Sequence, residues 1–378
     1  MPAASRVLML GEPPEVHGAA ASSVRAYRAS GLFERWPVRH VPLRTGSMKL
    51  ALATLADIAA HVAFALIDRG GTVVHLHAAS RAGFWAQSIV IALAACAGCP
   101  VILQLHGDAL EQWTESGDAG LHTELRLAVL RFFLDRCHCV VVPTERLRRW
   151  VRSVSAYTAS VCIPDPVLAT IPASGRRRMI LFAGAHRPGS GLGELLQAVS
   201  GLRLQSPDIT LACTGPGDPQ AARVVAERLG ITDAVAFLDC PGEATAHEEQ
   251  LRALRQRAAV FVVPAPAVGI PSELLAAMAA RLPIIACRTR DVSELITDGV
   301  DGLLFAPGDT AALHRLLCRV LHDPGLAIRL GAAARRSVMR RHSADRAMAR
   351  LGSIYAGLAV QPLAVRPCVL ASQSGKPA

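Results

Sequence analysis

The chain has 378 residues, 51% hydrophobic and only 19% charged, enough apolar mass for two full cores and too little charge for a disordered chain. Its net charge of +10, carried mostly by arginine, suits anionic phosphates or an anionic membrane face. With 4% aromatic residues and no zinc-finger or RNA-binding strings, nucleic acid is not the expected partner.

The opening MPAASRVLML is too short in its apolar run for a signal peptide and reads as a first buried strand. A glycine-containing loop and a helix over 20–30 follow, then a strand over 38–43 and a long apolar helix over 49–69. VVHLHAA, a helix over 84–97, VILQLHG, a helix over 123–137, CVVVP and a helix over 144–154 complete the first half. Near-continuous apolar strands alternating with helices predict a parallel sheet covered on both faces. Residues 86–105 carry no charge for twenty positions, but Gly98 and Pro100 divide them into a helix and a strand, which argues against a membrane crossing.

The proline-, serine- and glycine-rich CIPDPVLATIPASGRRR reads as a linker and puts a boundary near 170. Beyond it the alternation repeats through RMILFAGA, DITLACTG, VAFLD and VFVVP. This gives a first domain over 1–169, a second over 170–342, a last helix over 343–360 and a loose tail over 361–378. The ten cysteines sit mostly in apolar runs, as at Cys213, Cys240, Cys287 and Cys318, and favour a reducing cytoplasm. Cys96 with Cys99, and Cys137 with Cys139 around His138, read as core thiols, so no metal site is expected.

Several positions carry candidate chemistry. Gly18 precedes a helix and is either a close-approach glycine for a phosphate or a plain turn. His106 and Gly107 end a strand at the sheet edge, while His75 and His77 share one strand face and include at least one core histidine. Gly269, Ile270, Pro271 and Ser272 lead into an apolar helical run, Leu274, Leu275, Met278 and Leu282, whose free first-turn amides suit a diphosphate. The helix TERLRRWVRSV gathers Arg146, Arg148, Arg149 and Arg152 with Trp150, either a solvated face or a rest for anionic headgroups.

The stretch VGIPSELLAAMAARLPIIACRTRDVSELITDGVDGLLFAPGD, with FAGAHRPGSGLGELLQA upstream, resembles the donor half of the retaining family 4 glycosyltransferases. The resemblance implies an α/β, GT-B fold: two doubly wound, parallel-sheet, Rossmann-like domains facing across a cleft. The first would take the acceptor, the second a nucleotide sugar, and the last helix would cross back to the first domain. On that frame Gly18, Gly184, Gly269, Ile270, Ser272 and Glu294 fall at donor-binding positions. His106 falls on the family's His-Gly, as the residue that orients the sugar, with Gly107 on the acceptor side.

The departures cluster in the donor site. Where the family has two glutamates eight positions apart, this chain has Val268 and Ala276, and its diphosphate-binding Arg and Lys correspond to Ala185 and Ser190. Arg281 replaces a helix-ending glycine. Arg187 lies in the right loop to supply the missing cation, or is a solvated arginine. Glu273, one turn before Ala276, is placed to reach the sugar, or serves as a favourable acid in the first helical turn; Glu294 matches the family position or caps the following helix.

The expected function is therefore enzymatic: a cytoplasmic glycosyltransferase moving a sugar from a nucleotide diphosphate-sugar to a carbohydrate or lipid-linked acceptor in polysaccharide biosynthesis, without cofactor or metal, possible peripheral membrane contact included. The competing expectation is a catalytically impaired scaffold subunit that keeps the fold and has lost the donor site.

Overall fold

A computed structural model describes residues 6–16, 18–43, 72–115, 121–168, 178–241, 244–266 and 269–359. The expected helix over 49–69, the tail over 361–378 and Val268 lie outside the described residues. The described chain forms two compact units, one drawn from 1–14, 18–165 and 345–378, the other from 15–17 and 166–344.

In the first unit, β1 (Arg6–Gly11), β2 (Val38–Pro42), β3 (Thr72–Ala78), β4 (Val101–Leu105), β5 (Cys139–Val142) and β6 (Ala159–Cys162) form one sheet in the order β2-β1-β3-β4-β5-β6. Every pairing is parallel, with Val7 opposite Val73 and Leu103 opposite Val140. Alternation along β1 divides its side chains between two cores. Leu8 and Leu10 join Val90, Ile91, Leu130 and Val151 on one face, and Val7 and Met9 join Val24 and Tyr27 on the other.

The second core is closed by the chain's last helix, Ala344–Ala359, through Leu351, Ile354, Tyr355 and Leu358. Leu351 is fully buried, so truncating it to alanine should cost about 2–5 kcal/mol. The charge-free span resolves into the helix Arg81–Cys96 and β4. Ser80 starts that helix by accepting a hydrogen bond from the Gly83 amide at 3.0 Å, and Gly98, at φ +69°, turns the chain out of it ahead of Pro100. Among the described residues no helix is long and apolar enough to cross a membrane.

In the second unit, β7 (Met179–Ala183), β8 (Thr210–Thr214), β9 (Val235–Leu238), β10 (Val260–Val263), β11 (Ile284–Cys287) and β12 (Leu303–Phe305) form a second parallel sheet, in the order β12-β11-β10-β7-β8-β9. One face packs on the helices Leu192–Arg203 and Thr310–His322, the other on Ser272–Ala279 and Pro324–Arg341. The latter two meet closely. A methyl on Gly331 would lie 2.2 Å from the Arg281 carbonyl oxygen, and Arg281 itself adopts φ +66°, the left-handed conformation that glycine takes at helix ends without cost.

Both sheets are doubly wound, and each has a point where the strand order reverses. In the first it lies between β1 and β3, in the second between β7 and β10. Doubly wound sheets open a ligand crevice at the carboxyl ends of the strands at such points.

Candidate functional site

At the reversal point of the second sheet the loops are built backbone against backbone. The Gly184 amide donates to the Thr214 carbonyl at 3.0 Å and the His186 amide to the Pro216 carbonyl at 2.7 Å, tying the loop after β7 to the loop after β8. A methyl on Gly215 would come 2.1 Å from the Gly184 carbonyl oxygen, and one on Gly191 2.7 Å from the Pro264 carbonyl carbon in the loop after β10. Both glycines have positive φ, +147° and +76°, so no larger residue fits. Three strand ends thus converge on a surface made of main chain.

Downstream of β10, Gly269 is buried at φ +68° and Ile270 packs on the core, which aims the helix Ser272–Ala279 with its first-turn amides toward the same edge. The Ser272 hydroxyl donates to the Glu273 carboxylate at 2.9 Å. Glu273 is half-buried and, after burial itself, is what raises the Cys240 thiol, whose sulfur lies 3.4 Å from His247 Nδ1. Arg187 is exposed, and its side chain makes no hydrogen bond or ion pair among the described residues. The helix Arg290–Leu295 is capped by Thr289, whose hydroxyl accepts from the Val292 amide at 3.1 Å. Glu294 sits inside that helix, and the expected capping role is corrected: the following helix, Thr310–His322, is capped by Asp309, whose carboxylate accepts from the Ala312 amide at 2.7 Å.

His186 carries no signal in the sequence. It is buried between Phe182, stacked at 6.3 Å, and the edge of Phe237, and its Nε2 has no partner. Burial first, and then the nearby Arg223 charge, hold this imidazole below its ordinary pKa.

At the reversal point of the first sheet, side chains fill the edge instead. His106 Nδ1 lies 2.8 Å from Asp165 Oδ1 and its Nε2 lies 2.8 Å from His77 Nδ1, while the Ser23 hydroxyl reaches Asp165 at 3.2 Å. His75 Nδ1 is 2.7 Å from the Tyr355 hydroxyl, and Tyr27 pairs with Gln104. Burial is the main cause that pushes His75 down to about 3 and His77 well below the usual imidazole value, with neighbouring His106 opposing a second charge. The His106 side chain is 0% exposed and both its ring nitrogens are engaged. The direct hydrogen bond to a sugar expected of it from sequence is therefore not available in this conformation.

Glu12 lies at the same point, immediately after β1. One of its carboxylate oxygens is buried without a partner, beside Gly18, where a methyl would stand 2.8 Å away. Gly18 thus faces a carboxylate, whereas the sequence reading offers its surroundings to a phosphate. Gly107, at φ +130°, borders open space.

Residues 6–163 match the family described as a glycosyl transferase 4-like domain, and residues 177–323 match the glycosyl transferases group 1. Its two units thus match glycosyl transferase families, and the chain has the GT-B fold. Its fold is shared by sucrose-phosphate synthase from Thermosynechococcus elongatus, with a TM-score of 0.70 at 20% identity over 93% of this chain and 99% of that one. HepE of Anabaena in complex with UDP gives 0.69 at 15% identity over the same shares, 93% and 99%.

Among curated relatives, the phosphatidyl-myo-inositol mannosyltransferase of Mycobacterium leprae is 28% identical over 73% of this chain and 71% of its own length. The MMP alpha-(1->4)-mannosyltransferase of Mycolicibacterium hassiacum is 31% identical over 48% and 43%. Several relatives are spanned for less than half their length.

The second unit brings Gly184, Arg187, Gly269, Ile270, Ser272 and Glu273 to one sheet edge, since Gly191 seats the loop after β7 on the loop after β10. Glu294 follows the next strand over, with its carbonyl bonded by the Arg341 guanidinium at 2.8 Å. In the first unit Gly18, His106 and Gly107 stand at strand ends of one sheet, joined by residues that sequence passes over: Glu12, Asp165 and Ser23.

Proposed function

We propose that the chain transfers a sugar from a nucleotide diphosphate-sugar to a carbohydrate or lipid-linked acceptor, as a step in polysaccharide assembly. The observation that carries this reading is the β7–β10 reversal, where close-approach glycines stand beside the first turn of the helix Ser272–Ala279, which has no side-chain cap and whose first amides suit phosphate oxygens. Relatives with mannosyltransferase names support the sugar-transfer class.

In this reading, charge that develops on the leaving diphosphate is met by the amides of Ser272 and Glu273 and by Arg187, an arrangement that lowers the barrier by placement and electrostatics. Glu273 stands in for the carboxylates replaced by Val268 and Ala276, with Ser272 fixing its rotamer. His106 acts through its partners. No cofactor beyond the donor is required.

A cytoplasmic site of action, with peripheral contact to an anionic membrane, belongs to the same reading. The surface that supports it is narrower than the sequence suggests: Arg146 is held by Asp108 and Glu111, and Arg148 pairs with Glu145 at 2.7 Å. Arg149 and Arg152 are exposed on that helix, and Arg152 Nε donates to the Ser160 hydroxyl at 3.2 Å.

The test is release of nucleoside diphosphate from UDP-glucose, UDP-N-acetylglucosamine and GDP-mannose by the purified chain, with and without a lipid extract as acceptor. Turnover of one donor that falls about tenfold or more in Glu273→Ala supports the reading. No turnover with any donor, and none after Val268→Glu and Ala276→Glu are combined, contradicts it.

A further inference from the structure

Three crossover helices lie side by side on one face of the first sheet: Arg81–Cys96 between β3 and β4, Leu121–Leu134 between β4 and β5, and Glu145–Val154 between β5 and β6. They give Val90, Ile91, Leu130, Leu134, Leu147 and Val151 to a shared core. Phe133 meets Phe84 and Trp85 edge to face, and the Arg131 guanidinium donates to the Val154 carbonyl at 2.8 Å, so the three form one continuous layer.

The outward side of this layer is not composed like a surface that meets only water. After Arg81, every exposed residue of the first helix is apolar: Ala82, Ala86, Ile89, Leu93 and Cys96. Their alternating spacing of four and three draws a single stripe along the helix. A surface helix ordinarily carries its charged residues there, and one that is apolar all round has a second apolar phase to meet. With 16 residues it is too short to cross a bilayer. The second helix extends the apolar face with Leu125 and Phe132, and the turn after the third adds Tyr157, 85% exposed. Five of the ten large hydrophobics exposed among the described residues thus stand on this layer, a concentration that scattered surface hydrophobics do not show.

The charges beside the face identify what covers it. Arg131 and Arg152 are exposed, each gives one N–H to a neutral oxygen, the Val154 carbonyl and the Ser160 hydroxyl, and neither forms an ion pair among the described residues. The Arg136 guanidinium lies 3.3 Å from the centre of the Phe132 ring, a cation carried on the apolar face itself. The acids nearby are engaged or distant: Glu145 pairs with Arg148, Asp135 accepts from the Ser155 hydroxyl, and Glu124 lies two turns from Arg131. An apolar stripe flanked by uncompensated guanidinium groups fits an anionic bilayer surface, where acyl chains receive the one and lipid phosphates the other. A second copy docked face to face would set the same arginines against each other.

We propose that the outward face of the helices Arg81–Cys96 and Leu121–Leu134 lies in the interface of an anionic membrane. Ile89, Leu93, Leu125 and Phe132 enter the acyl boundary, while Arg131, Arg136 and Arg152 meet lipid phosphates. This rests on the membrane contact proposed above and assigns that contact to an apolar face, beyond the arginines of the helix Glu145–Val154 by themselves.

The experiment is co-sedimentation of the full chain with phosphatidylcholine vesicles, with and without phosphatidylglycerol, at low and high salt. The variants are Ile89→Asn with Leu93→Asn, and Arg131→Gln with Arg152→Gln. Leu204→Asn, at a residue 86% exposed in the second unit, is the control. Thermal shifts with UDP and GDP report the fold and the donor site of every variant. The wild type should bind the anionic vesicles. The Ile89 and Leu93 pair should weaken that binding about tenfold or more, through lost burial of two side chains. The arginine pair should weaken it about tenfold at low salt and remove most of its salt dependence, and Leu204→Asn should change nothing. Absence of binding to anionic vesicles overturns the proposal, as does binding that the Ile89 and Leu93 pair leaves unchanged or that Leu204→Asn lowers equally. A dimer in light scattering that the Ile89 and Leu93 pair dissolves overturns it too, and gives the face to a second copy. Nucleotide shifts without vesicle binding would remove the membrane contact and leave sugar transfer standing; vesicle binding that depends on Ile89 and Leu93, without nucleotide shifts, would support this face and overturn the donor reading alone.

Discussion

The two reversal points share a topology and differ in material. At β7–β10 the edge is main chain: Gly184, Gly191, Gly215 and Gly217 bring loops within contact of one another, and the ionisable groups nearby stand at its margin. At β1–β3 the edge is side chain: three histidines, Asp165, a serine and two tyrosines in one buried cluster, with half-buried Glu12 following β1. Backbone amides have fixed direction and no titration, which suits an anion of constant charge. Imidazoles and carboxylates choose between donor and acceptor with their proton, which suits neutral hydroxyls that differ only in geometry. One architecture thus presents two kinds of edge, one of main chain and one of titratable side chains.

The comparison breaks most readily at the glycines. Gly215→Ala forces a methyl to 2.1 Å from the Gly184 carbonyl oxygen in a backbone conformation disfavoured for alanine, and should cost about 3 kcal/mol or more. Urea unfolding of Gly215→Ala beside Gly189→Ala checks this. Gly189 also has positive φ, +79°, but borders open space, so its cost should be much smaller. Equal losses would mean that loop contact is not what glycine provides here.

The first unit should instead respond to pH. His75 and His77 are held neutral in the folded chain, at about 3 and well below 6.5 respectively, while the unfolded chain protonates them near 6.5. Stability is therefore complete above pH 6.5 and is lost as pH falls toward 3. With two protons taken up on unfolding, the slope approaches about 2.7 kcal/mol per pH unit. Unfolding midpoints at pH 7, 6 and 5 measure it, and a flat response would remove the buried-histidine account.

Smaller effects sharpen the second edge. Arg187→Ala should weaken UDP or GDP binding about tenfold, or about 1.4 kcal/mol, in calorimetry, with an unchanged melting temperature because the side chain has no partner to lose. Arg281→Gly should raise stability by about 1 kcal/mol, since glycine adopts φ +66° without strain. A loss on that substitution would assign Arg281 a contact that its backbone does not suggest.

Much of the architecture is legible in the chain itself. RVLML, VILQL and VFVVP read as short buried strands, and helix limits fall within a few residues of the expected ones, as for Glu145–Val154 against 144–154. The strand Ala159–Cys162 escapes because it is four residues long and runs into a segment whose prolines signal a linker. That misreading hides Asp165, which stands 59 residues from the histidine it binds. Glu12 reads as a turn residue before two prolines, and only the folded chain shows its carboxylate beside Gly18. The close glycine contacts are equally non-local: nothing near Gly215 in sequence announces Gly184. Composition and period report burial, whereas a site depends on which loops the sheet order brings together.

The most direct measurement of the central claim is amide hydrogen exchange with saturating UDP and, separately, GDP. Slowed exchange concentrated in residues 184–191 and 269–275, with one of the two nucleotides, is the predicted result, because the Ser272 and Glu273 amides are assigned to the diphosphate and the loop after β7 carries Arg187. Protection confined to the first unit, or no change with either nucleotide, would contradict it.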